Sequence, residues 1–209
     1  MTDPTENPSA DIAWMRRLAE EGSQAPMQGA SILFMAGLLY GGASIFHWAA
    51  VTGLLPFAPE SSLWIGWVVA TGLFFATLIV VLKRLKREPG VVTTANRASS
   101  IAWSAMGWGI FALFLSLSVV GYRLGDEAAE TLFGLVPSVI LVFYGIGWSV
   151  SATMYRSRPL WGLALGSFAA APCLAAFTGS PDQYLAYGVA LLVFMAAPGF
   201  LMMRASKQG

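Results

Sequence analysis

The side chains of this sequence that could do chemistry lie mostly on one stripe. Gly37, Tyr40, Gly41, Ser44, His47 and Trp48 recur at steps of three and four, so a helix places them on one face. His47 is the only histidine. Its ring could sense pH near neutrality or act as a lone axial ligand to a haem. A second imidazole to complete a bis-histidine haem or a metal site is missing, so a neutral ring, hydrogen-bonded beside Trp48, is the expected state. Trp108 and Tyr144 fall at a depth similar to that of Tyr40 in their own apolar segments, with Ser104, Trp148 and Ser149 close by. Buried Tyr and Trp polar atoms need partners, and two arrangements supply them. In one, the hydroxyls bond across helices or to backbone. In the other, Tyr40, Ser44, His47, Ser104, Trp108, Tyr144, Trp148 and Ser149 line a small ligand pocket between the first, third and fourth helices.

Other reactive constellations do not assemble. Gly147-Trp148-Ser149-Val150 lacks the second glycine of a nucleophile elbow, and no acid lies near His47 to orient it. There is no aspartate pair for an intramembrane protease and no metal-binding histidine pair. Gly121, Gly125 and Gly134 are too scattered for a phosphate loop. One cysteine, Cys173, excludes an intrachain disulfide and, with one histidine, the usual zinc clusters. The reading is a non-enzymatic protein without metal or cofactor.

The elements that would hold these residues are membrane helices. Of 209 residues, 56% are hydrophobic and only 11% charged, and the mean hydropathy is +0.65. Soluble domains carry about 25% charged residues, so this is a polytopic membrane composition. A hydrocarbon core about 30 Å thick needs about 20 apolar helical residues. Six segments meet that need or come close: 27–51, 62–82, 98–121, 132–154, 160–178 and 182–203. Pro56 and Pro59, Pro89-Gly90, Gly125-Asp126 and Pro159 punctuate the loops. Before the sixth segment, Ser180 should act as N-cap, with Pro181 at the first helical position and Gln183 closing a capping box.

The net charge of +1 hides a strong asymmetry. If the loop holding Lys83, Arg84, Lys86, Arg87 and Arg97 is cytoplasmic, that side receives eleven of the twelve Lys and Arg residues, leaving only Arg123 outside. The expected topology is therefore six spans with both termini cytoplasmic. In that topology the basic cluster sets orientation and touches anionic lipid headgroups rather than nucleic acid, at about 1 kcal/mol per residue. The charge-free stretch Val91 to Asn96 is the better contact for a protein partner. No Asp, Glu, Lys or Arg falls in the middle of a span, which disfavours ion-coupled pumping, voltage sensing and a Schiff-base chromophore.

Residues 1–10, with two prolines and two acids, read as a disordered tail without signal-peptide features. Asp11 can cap an amphipathic helix over 12–21, followed by a linker to 26. That helix fits equally a position in the membrane interface, with Trp14 at headgroup level, and one folded over the bundle ends. Residues 205–209 form a short tail. Trp48, Trp64, Trp67, Trp103 and Trp161 suit an aromatic belt. Gly37/Gly41, Gly66/Ala70, Gly145/Ser149 and Gly162/Gly166 are spaced by four, as in close helix pairs. Pro137, Pro172 and Pro198 should kink the last three helices. Tyr40-Gly41 and Tyr144-Gly145 echo one another, as would the halves of an inverted repeat.

With Leu18-Ala19-Glu20-Glu21-Gly22, Ala25-Pro26, Pro198-Gly199 and Met202-Met203-Arg204, the chain resembles a group of small bacterial inner-membrane proteins to which no activity is assigned. The resemblance implies an all-α, six-helix bundle in the bacterial cytoplasmic membrane. Two roles suit such a chain. The first is a regulatory, sensory or accessory subunit working through membrane or cytoplasmic partners. The second is an uncoupled transporter or channel for a neutral or apolar solute.

Overall fold

A computed structural model describes residues 12–14, 29–55, 63–87 and 93–206. Six long helices follow one another there: α1 (Ala30–Val51), α2 (Leu63–Arg87), α3 (Thr94–Leu124), α4 (Asp126–Met154), α5 (Arg158–Ala175) and α6 (Asp182–Ala205). No strand occurs among the described residues. All but α5 are long and apolar enough to cross a membrane. α5 has 18 residues, among them Arg158, two prolines and two glycines, which dilute its hydropathy. The chain is thus an all-α bundle with five membrane-length helices. Of the expected amphipathic helix only residues 12–14 are described; they are helical, with Ile12 and Trp14 exposed. The expected tail 1–10, the linker to 26 and residues 207–209 lie outside the described residues.

Helix ends follow local chemistry, and in one place they overturn an expectation. Thr93 caps α3, its side chain accepting from the Asn96 N–H at 3.1 Å. The expected loop between 121 and 132 shrinks to a single residue, Gly125, at φ 91°. The acids that read as loop instead open α4, where negative charge suits a helix N-terminus, and a left-handed glycine makes so tight a reversal possible. α4 ends in a Schellman motif: Ser157 N–H bonds to Ala152 O at 3.0 Å across Arg156, which takes the left-handed conformation (φ 49°) usual for glycine. The basic residues Arg84, Lys86 and Arg87 fall in the last turn of α2, where they oppose its dipole.

Consecutive helices run antiparallel, and glycines set the closest approach. Gly37 and Gly41 of α1 meet Ala196, Gly188 and Leu192 of α6, while Gly199 sits against Ala30 and Phe34 at the other end of the same pair. Gly145 receives the ring of Phe168 from α5, and Gly166 the ring of Phe194 from α6. Gly66 faces Phe46, but a Cβ on Gly162 would meet nothing, so that glycine is not a packing residue. The fully buried centre comprises Leu141 and Trp148 of α4 with Leu191 of α6.

The outer two helices are arranged differently. α2 packs along α1 and α3 along α4, with no extended contact between α2 and α3. α2 buries only Ala70, and α3 only Asn96, Ser99 and Met106. Both therefore stand as arms flanking a gap.

Candidate functional site: a cavity between the arms

The gap leads into a partly open cavity of about 640 Å³. Such a volume is in the range of small-molecule sites. Walls come from α1 (Leu33, Ala36, Tyr40), α2 (Trp67, Thr71, Phe74), α3 (Trp103, Met106, Ile110), α4 (Val136, Ile140, Tyr144) and α6 (Tyr184, Tyr187, Met195). Among the described residues, no charged one lines it. Phe75 of α2 and Phe111 of α3 also belong to the lining yet are 53% and 58% exposed, so they mark the mouth between the arms. Antiparallel pairing places Tyr184 level with Ser44. From Ile32 to that level the cavity follows about 12 residues of α1, about 18 Å of helix.

Its polar groups are few and uncharged. The Tyr40 hydroxyl donates to Thr71 Oγ1 at 3.4 Å, a long bond that holds α1 to α2. Tyr144 and Tyr187 line the cavity, and neither hydroxyl has a hydrogen-bond partner among the described residues. Tyr187 keeps only 6% of its surface exposed. Neither phenol oxygen is among the fully buried atoms that lack a partner, so both are reached from the cavity and have donor capacity that no described residue uses.

Of the eight residues expected to form a pocket, Tyr40 and Tyr144 line the cavity and six do not. Ser44 Oγ donates to Tyr184 O at 2.6 Å, tying α1 to α6. His47 accepts from Trp67 Nε1 at 3.1 Å. Its ring stacks on Tyr184 with centroids 4.0 Å apart. An Nδ1 that accepts a hydrogen bond belongs to a neutral imidazole. Trp148 is buried and gives its indole N–H to Phe194 O at 3.0 Å. Ser149 bonds back to Gly145 O of its own helix. Ser104 is exposed, and Trp108 is 73% exposed. Rotation about the helix axis turns Ser104 and Trp108 away from the bundle.

Two further expectations change. Trp67 and Trp103 do not join an outward belt: one bonds His47 and the other donates to Ser151 Oγ at 3.2 Å. Trp64 and Trp161 do face outward. Asn96 is buried and meets the hydroxyl of Tyr155, so it does not present itself to a partner; residues 91 and 92 lie outside the described residues. Asn96, Tyr155, Ser99, Ser151 and Trp103 form a polar seam that joins α3 to α4 at one end. Lys83, Arg84, Lys86, Arg87 and Arg97 are all exposed near the same end, as residues meeting headgroups would be.

The sequence reading did not anticipate Thr71, Tyr184 and Tyr187. A signal for the first was present, since Trp67, Thr71 and Phe74 make a helical stripe in which Thr71 is the one small hydroxyl. Tyr184 and Tyr187, three apart, make the corresponding stripe on α6. Comparison of the chain with family models, with curated proteins and with solved structures finds no match.

Proposed function

We propose that this is a six-span bacterial inner-membrane protein with cytoplasmic termini that binds a neutral, apolar solute in the cavity between α2 and α3, without ion coupling. The uncharged cavity, open between two weakly packed arms, is the observation that supports this reading. A charged solute would have to be desolvated against aromatic and aliphatic walls, at a cost of several kcal/mol. An apolar solute already dissolved in lipid would not. The positive-inside pattern supports the orientation, and the bundle's alternating helices support counting α5 as the fifth span.

Photolabelling in lipid nanodiscs with a carbonyl-free alkyl diazirine tests the reading. Label should be recovered on cavity-facing peptides containing Phe74, Ile110 and Tyr144. Recovery only on lipid-facing positions such as Leu115 and Trp108 would remove the cavity as a binding site.

A second reading, a subunit that works through partners, draws on Ile12 and Trp14, large apolar residues that are exposed on a helical segment. Deleting residues 1–26 should then release a co-purifying protein while leaving cavity labelling unchanged. Retention of every co-purifying protein would count against it.

A further inference from the structure

Resting on the reading of the cavity as a solute site, we infer the class of solute: a flat, uncharged, lipid-soluble ring bearing carbonyl oxygens, of the quinone type. Two features of the cavity combine to select it. Tyr144 and Tyr187 offer hydroxyls without partners among the described residues, and Tyr187 is more than nine-tenths buried, so an occupant that presents hydrogen-bond acceptors is favoured. Carbonyl oxygens accept without needing to donate in return, which suits phenols placed as donors. The walls are rich in rings, with Trp67, Phe74 and Trp103 among them, and flat aromatic faces favour stacking on a planar solute.

The mouth adds a constraint on the rest of the molecule. Phe75 and Phe111 open laterally between α2 and α3, on helix faces that carry a row of exposed apolar residues. A ligand entering there comes from the bilayer, and an alkyl or isoprenoid chain attached to the ring can remain in the gap between the arms. Among the described residues, no acid, amine or guanidinium lines the cavity to recognise a charged headgroup. Free phospholipid headgroups and soluble anions are therefore poor occupants.

Competition against the alkyl diazirine in nanodiscs provides the test, with decyl-naphthoquinone and decyl-naphthalene as the two competitors. They share a ring system and tail and differ in the carbonyl oxygens. The quinone should displace cavity label at a concentration about tenfold lower than the hydrocarbon, the effect of one or two net hydrogen bonds. In the conservative double variant Tyr144→Phe/Tyr187→Phe, the two competitors should become equal while the hydrocarbon competes as before. Equal competition in the wild type, or discrimination that survives the double variant, would overturn the carbonyl inference and leave the cavity reading standing. Stronger competition by a decyl ester than by the quinone would overturn the ring. Absence of cavity labelling in the wild type would remove both together.

Discussion

Trp148 hands its indole N–H to the carbonyl of Phe194, 46 residues along the chain and 3.0 Å away. In a regular α-helix that carbonyl would accept from residue 198, which is a proline and has no N–H. α6 widens into a π-helical turn over Leu192–Ala196 just before Pro198, and α4 supplies a donor at that turn. Trp148→Phe should keep most of the packing and lose the bond, lowering stability by about 1–3 kcal/mol in thermal or denaturant unfolding. Adding Pro198→Ala should recover part of the loss by returning a backbone donor. No recovery would mean that Trp148 acts through packing alone.

Gly37 should not tolerate alanine. Its added methyl would overlap the backbone of Ala196, where nothing flexible can give way. Gly37→Ala is expected to lower stability by about 1–3 kcal/mol. Gly162→Ala, where the methyl meets open space, should be neutral or stabilising by up to about 1 kcal/mol through helix propensity. Parallel melting curves of the two variants compare them, and equal effects would contradict the close approach of α1 and α6.

Gln183 fastens three helices. Its amide nitrogen, with two hydrogens to share among three acceptors, lies 2.7 Å from Gly134 O, 3.2 Å from Leu174 O and 3.2 Å from Thr178 Oγ1. Gln183→Leu, close in volume, should cost about 1–3 kcal/mol because buried acceptors lose their donor. Hydrogen exchange should rise first at the α5–α6 turn; an unchanged exchange pattern would contradict the role.

Burial raises the Tyr155 hydroxyl from 10.0 to about 12, at the end of α4 beyond the membrane-length segment. The folded state then holds its proton more tightly than the unfolded state does. The stabilisation is complete below about pH 10 and declines as pH rises towards 12. The stability of wild type relative to Tyr155→Phe should therefore fall across that window, measured by unfolding at stepped pH. A constant difference would mean that the hydroxyl ionises alike in both states.

Much of the bundle was legible because hydrophobicity and small-residue spacing are local. The positions of five membrane-length helices and the roles of Gly37 and Gly41 follow from residue type and period alone. Ser180 Oγ accepts from the Asp182 N–H at 3.3 Å, but the helix opens at Asp182 with Pro181 at the cap position, one residue later than the spacing implies. Gln183 does not close a capping box, since its side chain turns into the bundle instead of back to Ser180; only tertiary contact reveals the acceptors waiting there. The cavity was legible in part. Tyr40 and Tyr144 stood out as hydroxyls at mid-span, but the rotation of α3 that exposes Trp108 and brings in Trp103 depends on how α3 seats against α4. Met106, set into the space beside Gly147, records that seating.

Filling the cavity tests the central claim most directly. Ile110→Trp places a bulky indole in the space between α3 and α1 while leaving the helix ends untouched. In nanodiscs, diazirine label on Phe74 and Tyr144 should fall several-fold relative to wild type, with label on lipid-facing Leu115 unchanged. Equal labelling of Phe74 and Tyr144 in the two proteins would contradict a solute site between the arms.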